Sequence, residues 1–192
     1  MKAYVRPLLL VAFAVFSLLL LFHFTQSTRE KSAPQSVAQT EVVAKISVGS
    51  PVRLTIPAIN VNAGIQYVGV NPKGEMEVPS NTVDVGWFKL GALPGEKGSA
   101  VIAGHINGKN GEEGVFYNLY KLKEGDKLHI EDDKGISTTF IVRESRTYNP
   151  GYAEDVFSSN DKARLNLITC DGVWDGVKKS YTKRLVVFAD AF

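Results

Sequence analysis

Short apolar runs separated by turn-forming residues fill most of the chain after residue 50. Runs of about four to eight residues that are rich in Val, Ile, Leu and Thr and bounded by Gly, Pro, Asn or Asp are typical of β-strands. Seven such runs predict strands at residues 52–56, 63–70, 99–103, 127–131, 138–145, 164–169 and 184–189. Many short strands with turns between them favour an antiparallel barrel or sandwich over a βαβ fold.

Helical patterns are few and short in the same part of the chain. One short helix is predicted at residues 115–121 and another near residues 153–157. A different pattern, the continuous apolar run PLLLVAFAVFSLLLLFHF, occupies residues 7–24. As a helix its 18 residues would span roughly 27 Å, close to the hydrocarbon thickness of a bilayer. This run therefore predicts a transmembrane helix.

The flanks of the apolar run predict its orientation. Lys2 and Arg6 precede it, and no small-residue cleavage signal follows it. An uncleaved signal-anchor with its N-terminus in the cytoplasm fits these flanks. We predict a single-pass protein of the cell membrane: residues 1–24 are the cytoplasmic n-region and anchor, polar residues 25–50 are a flexible extracellular stalk, and residues 51–192 are the extracellular domain.

Charge and cysteine content narrow the function of that domain. The whole chain has a formal net charge of +2, and the domain is nearly neutral, so nucleic acid is not an expected partner. Cys170, in LNLITCDG, is the only cysteine of the sequence. Because exported proteins usually pair their cysteines, this thiol is either a small buried hydrophobe or a nucleophile.

A cysteine nucleophile needs a base and a group that stabilises negative charge. His105, in SAVIAGHING, follows an apolar run as Cys170 does, whereas His23 belongs to the anchor and His129 lies in an alternating strand. Arg184 begins the last apolar run, stays charged and can present two donors to a carbonyl or carboxylate. These three residue types fit acyl transfer.

The segments AGHING, LITCDG and TKRLVVFA, in this order, resemble a sortase over about residues 52–192. Sortases are cysteine transpeptidases of Gram-positive surfaces, built on an eight-stranded barrel. The resemblance implies a mainly β, closed eight-stranded barrel with one or two short helices. It also implies that Cys170 is the nucleophile, His105 the general acid/base and Arg184 a clamp for the oxyanion or the substrate backbone. Thr169 matches the second threonine of the family's TLxTC motif, whereas Asn166 replaces the first.

The resemblance further implies the substrates and the groove. An LPxTG-like sorting signal of a surface protein would be cleaved, and the thioacyl group would pass to an amine of a cell-wall precursor. Residues 148–160 are expected to form one wall of the groove and the post-cysteine loop 171–183 the other. Thr169, Trp174 and Tyr148 are the predicted substrate-binding residues. Asp84, Asp171 and Asp175 are open candidates for the acid that orients His105.

The subclass and two rival functions complete these expectations. No Asp-Pro-aromatic lid motif precedes the domain, and the gap between residues 147 and 164 is short, which favours a compact class D, E or F enzyme, with class F first. No cofactor and no metal site are predicted, because no acidic cluster matches the calcium site of class A enzymes. The alternatives are a cysteine transpeptidase or hydrolase that acts on peptidoglycan, and a non-catalytic membrane-tethered binding module in which Cys170 is buried.

Overall fold

The computed structural model describes residues 48–151, 153–158 and 162–192. The predicted anchor, residues 1–24, and all but the last three residues of the predicted stalk lie outside the described residues. Within these described ranges, no helix is long and apolar enough to cross a membrane.

Eight β-strands form a closed barrel in the described part of the chain. They are β1 (Pro51–Ile56), β2 (Val61–Val68), β3 (Val85–Phe88), β4 (Gly98–Ala103), β5 (Lys127–Asp132), β6 (Ser137–Tyr148), β7 (Ala163–Asp175) and β8 (Ser180–Ala191). Their order around the barrel is β1-β2-β3-β4-β7-β8-β6-β5, and β5 pairs with β1 to close it. The mainly β, closed eight-stranded barrel is confirmed.

The helical segments of this region are short. α1 (Glu154–Phe157) is the α-helix within the described ranges, and Pro57–Ile59 and Leu119–Lys121 are single 3₁₀ turns. The helix predicted at residues 115–121 is therefore reduced to one turn. Phe116, Leu119 and Leu122 are buried there at a spacing of three residues, which a 3₁₀ turn satisfies as well as a helix does.

Three features of the sheet differ from the sequence prediction. β3 was not expected, because its four residues, VGWF, are too few to show alternation. The β2–β3 and β4–β7 pairs are parallel, so the barrel is not purely antiparallel. The post-cysteine segment 171–183 is a β-hairpin rather than a loop, because β7 and β8 stay paired as far as Asp175 and Ser180.

The closed barrel encloses the larger of two apolar clusters. This interior cluster takes alternate residues of the strands, such as Leu54 and Ile56 of β1 and Leu165 and Leu167 of β7, all fully buried. Burial of each such side chain contributes about 1.5–3 kcal/mol, so the cluster is the main source of stability. β4 is buried along its whole length because the interior cluster covers one of its faces and α1 lies against the strand. Strands buried on both faces read as continuous apolar runs, as GSAVIA does.

Candidate active site

Cys170 lies inside β7, directly opposite Arg184 of β8. On its other side Arg184 lies opposite Tyr148 of β6. Residues directly opposite in an antiparallel pair project from the same face, with Cβ atoms about 4.5–5.5 Å apart. Cys170, Arg184 and Tyr148 therefore form one row across three strands. The row lies on the outer face of the barrel, because Leu167 and Val187, of the opposite parity, belong to the interior cluster.

The sequence predicted a strand that ends just before Cys170, whereas the thiol lies within β7. β7 continues to Asp175, because the Trp174–Tyr181 and Asp175–Ser180 pairs extend the ladder beyond a bulge between Asp171 and Trp174. Gly172 has a φ of 79° at this bulge, a left-handed conformation that glycine adopts without strain. The bulge bends the extended hairpin and so changes the direction of the strand just after the nucleophile.

His105 reaches the same level from the neighbouring strand. β4 pairs in parallel with β7, and the last paired residues are Ala103 and Ile168. The contact continues beyond β4: Gly104 N donates to the Ile168 carbonyl at 3.0 Å, and Thr169 Oγ1 donates to the Gly104 carbonyl at 2.8 Å. Counting on in this register, His105 comes to the level of Cys170.

Thr169 therefore joins the two segments that carry His105 and Cys170. Its side chain is buried, with 4% of its surface exposed, and its hydroxyl is already committed to the Gly104 carbonyl. A residue in this position holds the strand that carries Cys170 against the segment that carries His105.

The His105 ring has a backbone partner. Its Nε2 lies 2.9 Å from the Pro79 carbonyl oxygen. A carbonyl only accepts, so Nε2 carries the hydrogen and donates it, and Nδ1 of the neutral ring carries the lone pair. Among the hydrogen bonds of the described residues, none joins this ring to Asp84, Asp171 or Asp175, the acids that the sequence left open.

Those three acids have other partners. Asp84 Oδ2 accepts from Asn81, in the segment that carries Pro79, and from Gln66 of β2. Asp171 accepts from Thr147 at 3.4 Å, and Asp175 accepts from two backbone N–H groups of the hairpin turn. Asp84 is thus linked to His105 through the segment that carries Pro79. Asp171 belongs to the contact between β6 and β7, and Asp175 belongs to the hairpin turn.

The electrostatics favour a protonated thiol in the free protein. Burial raises the pKa of the half-buried Cys170 thiol, and the positive charge of Arg184 partly offsets that effect. The Arg184 guanidinium donates to the backbone carbonyls of Tyr181 and Lys183 at 3.0 and 2.8 Å and to Ser180 Oγ at 3.2 Å. These bonds use three of its five N–H donors and fix the guanidinium to its own strand.

A cleft of about 770 Å³ lies beside His105. His105 shares its lining with Trp174, Tyr181 and residues 79–82. Trp174 is 54% exposed and stands edge-on to Tyr181, with ring centroids 5.4 Å apart. Trp174, predicted to bind substrate, therefore lines this cleft. Tyr181, which lies within the predicted 171–183 wall, and Pro79 were not singled out from the sequence, because only the strand register and the return of the 79–84 segment bring them here.

The second apolar cluster, here called the groove cluster, covers the outer face of β4, β7 and β8. Its four buried members are Val101, Val156, Val186 and Phe188, flanked by the partly buried Met76, Phe88, Tyr148, Ala153, Phe157 and Ile168. Since Ile168 and Val186 lie two residues from Cys170 and Arg184 on the same face, the cluster is continuous with the row of Cys170, Arg184 and Tyr148. The groove cluster thus lies on one side of the row and the cleft beside His105 on the other.

α1 forms a wall of the groove cluster and is fixed to it by side chains. Asn166 Nδ2 donates to the Val156 carbonyl at 2.6 Å from a fully buried position. The Tyr148 hydroxyl donates to Asp155 at 2.5 Å, and Arg146 also pairs with Asp155, at 3.1 Å. Burial and the Asp155 bond raise the pKa of Tyr148, so its hydroxyl stays protonated. Asn166, the departure from the TLxTC motif, thus holds the wall that carries Val156.

No group of three or more His, Cys, Asp or Glu residues in the described ranges could hold a metal ion.

Residues 54–192 match the family model of the sortase domain, so the chain belongs to the sortase family, whose members are cysteine transpeptidases. The match extends from the middle of β1 to residue 192. A comparison with curated protein sequences gave no match.

Several solved structures are similar to this barrel. Sortase C from Clostridium perfringens SM101 is 23% identical, with a TM-score of 0.56 over 75% of this chain and 71% of that one. Sortase C-1 from Actinomyces oris is 24% identical, with a TM-score of 0.58 over 73% and 72%. Sortase A from Corynebacterium diphtheriae is 24% identical, with a TM-score of 0.59 over 76% and 63%. These likenesses establish the sortase fold of the chain.

Proposed function

We propose that this sortase is anchored in the cell membrane, cleaves an LPxTG-like sorting signal of surface proteins and transfers the acyl group to an amine of a cell-wall precursor. One observation carries the proposal: Cys170 and Arg184 are directly opposed on the outer face of the barrel, and His105 follows the strand beside them. This arrangement supports the roles of Cys170 as nucleophile, His105 as base and Arg184 as cation.

The first half-reaction forms a thioester. His105 takes the thiol proton at Nδ1, the nitrogen that the Pro79 carbonyl leaves free, and Cys170 attacks the threonine carbonyl of the signal. Arg184 stabilises the oxyanion of the tetrahedral intermediate. The C–N bond to glycine then breaks, His105 returns its proton to the leaving amine, and the acyl group remains on Cys170. The raised pKa of the thiol makes this proton transfer necessary.

The second half-reaction reverses the roles. A precursor amine attacks the thioester, His105 accepts the proton that the amine loses, and the C–S bond breaks to release the Cys170 thiolate, which recovers the proton from His105. The cleft lined by His105 supports entry of the acceptor from that side, because the ring that must take the proton forms part of its lining. The groove cluster supports binding of the apolar residues of the signal on the other side.

The location of the enzyme is part of the same proposal. The apolar run of residues 7–24 anchors the chain, residues 25–50 act as a stalk, and the barrel works outside the cell. The assignment to class F, within the compact class D, E or F enzymes, stays a prediction.

Turnover of a peptide by the full chain tests the proposal. We would incubate the chain in detergent with a fluorogenic LPxTG peptide, with and without an amine acceptor, and look by mass spectrometry for an acyl group on Cys170. The expected result is an adduct and a product that needs the amine, with neither in Cys170→Ala. Cleaved peptidoglycan in place of a sorted peptide would favour the hydrolase alternative, and a thiol that no alkylating reagent reaches would favour the binding module.

A further inference from the structure

His105 depends on a segment outside the strands for its orientation. The Pro79 carbonyl is a fixed acceptor that cannot exchange roles with the ring, unlike a serine or an amide. Pro79 lies between β2 and β3, in the segment of residues 79–84. The orientation of the His105 ring therefore depends on the position of the 79–84 segment.

A closed hydrogen-bond network holds the 79–84 segment. Gln66 Oε1, on β2, accepts from both Ser80 N and Ser80 Oγ, at 3.0 and 3.1 Å. Gln66 Nε2 donates to Asp84 Oδ2 at 3.1 Å, and Asn81 Nδ2 donates to the same oxygen at 2.8 Å. Asn81 Oδ1 in turn accepts from Val83 N and Asp84 N. Each end of the segment is thus tied to the same glutamine of the barrel.

The chemistry of Asp84 determines which way the Gln66 amide faces. An ionised carboxylate only accepts, so Nε2 must face Asp84 and Oε1 must face Ser80. The bonds from Asn81 and Gln66 lower the pKa of Asp84, which keeps the carboxylate ionised at neutral pH. The network therefore has one arrangement of donors and acceptors, and Ser80, the neighbour of Pro79, is fixed in it by two bonds.

We propose that Gln66 and Asp84 are positioning residues for His105, which act by holding the Pro79 carbonyl against Nε2. The expected effect of this positioning on turnover rests on the proposed function, whereas its expected effect on the His105 ring does not. Loss of either residue loosens the end of the segment that carries Pro79, while the Thr82 carbonyl still accepts from Val115 N. His105 then loses the partner that aims Nδ1 at the reaction. A misplacement of about 1 Å costs roughly a hundredfold in rate, so we expect kcat to fall about tenfold to a hundredfold with KM for the peptide unchanged.

The test uses the full chain in detergent with ¹⁵N-labelled histidine, and the variants Gln66→Met and Asp84→Ala. Wild type should show a ring N–H resonance of His105, assigned by its loss in His105→Gln, that is protected from exchange by the Pro79 carbonyl. Both variants should lose that resonance and show the lower kcat. Gln66→Met keeps the length of the side chain, so it tests the hydrogen bonds even where Asp84→Ala does not fold.

Asp126→Ala is the matched control, because Asp126 accepts a backbone bond from Lys123 in a turn before β5, away from the site. It should retain both the resonance and kcat. A ring N–H that persists in the two variants, or an equal loss of kcat in the control, would overturn the inference. Loss of the resonance in both variants supports positioning even without any turnover of an LPxTG peptide, an outcome that would count against the proposed function alone.

Discussion

The thirteen residues of β7 alternate between its two faces. The two faces need different kinds of side chains. On the inner face Leu165 and Leu167 are fully buried and closed in by the barrel. On the outer face Asn166 is buried beneath α1, whereas Ile168 and Cys170 are only partly covered. Leu165 and Leu167 contribute only apolar packing to the inner face. The outer face also holds polar groups: Asn166 Nδ2 donates to the Val156 carbonyl, and the Cys170 thiol lies opposite Arg184.

Removal of the nucleophile should separate the two faces most sharply. We expect Cys170→Ala to reduce turnover of the sorting peptide to background, because no other thiol exists in the sequence. Its midpoint of thermal unfolding should stay near that of wild type, since the side chain is small and half-buried. Residual amine-dependent product in this variant would contradict the assignment of the nucleophile.

Leu167→Ala should have the converse effect. Leu167 is fully buried in the interior cluster, three residues from Cys170. Truncation of such a side chain leaves a cavity, so we expect the free energy of unfolding to fall by about 2–5 kcal/mol. Urea denaturation measures the loss, and kcat per folded molecule should be unchanged. Val177→Ala, at a site 94% exposed, is the matched control and should change neither quantity; an equal loss in both variants would remove the distinction between the faces.

Arg184 allows charge and geometry to be separated on the outer face. Arg184→Lys keeps the charge and loses the two aligned N–H donors of the guanidinium, and Arg184→Gln loses both. Turnover should therefore fall by roughly a hundredfold or more in each variant. The thiol should distinguish the two variants. The positive charge of Arg184 lowers the pKa of Cys170, so its removal raises that pKa.

Alkylation of Cys170 by iodoacetamide as a function of pH follows this difference. Because the thiolate is the reactive form, the curve for Arg184→Gln should move to higher pH, while the curve for Arg184→Lys should stay near that of wild type. An unshifted curve for Arg184→Gln would mean that the guanidinium charge does not act on the thiol.

Substitution of Asn166 should have the smallest effect. It tests whether the outer face of β7 also contributes to stability. Asn166→Ala removes the bond to the Val156 carbonyl and leaves that carbonyl buried, so we expect a loss of about 1–3 kcal/mol in stability. KM for the sorting peptide should rise, because α1 loses its attachment to the groove. Asn62→Ala, which removes the acceptor of an exposed bond from Arg53, should cost less. A KM equal to that of wild type in Asn166→Ala would show that α1 does not contribute to peptide binding.

The inner face of the barrel was predictable from the sequence because alternation of apolar residues is a local signal. It located seven of the eight strands and failed at β3, whose Val85–Phe88 depends on its partners β2 and β4. Cys170, His105 and Arg184 could be selected by residue chemistry and by resemblance to a family. Their arrangement could not, since the pairing of Cys170 with Arg184 is a matter of register between strands.

The partner of His105 was beyond sequence reasoning for a different reason. The sequence offered three acids, whereas the ring donates to a backbone carbonyl, and every residue has one of those. Gln66 is a half-buried residue of β2 with nothing in its local sequence to connect it with Ser80 or Asp84. Such a contact depends on the path of a loop, which no periodicity encodes.

The position of β8 in the barrel links the arrangement of the site to closure of the barrel. β8 is inserted between β7 and β6, and it brings Arg184 opposite Cys170. A chain in which this strand is not docked has no Arg184 beside the thiol and an unpaired edge on β7. Under the proposed mechanism such a chain lacks the group that stabilises the oxyanion, so acylation of Cys170 requires the closed barrel.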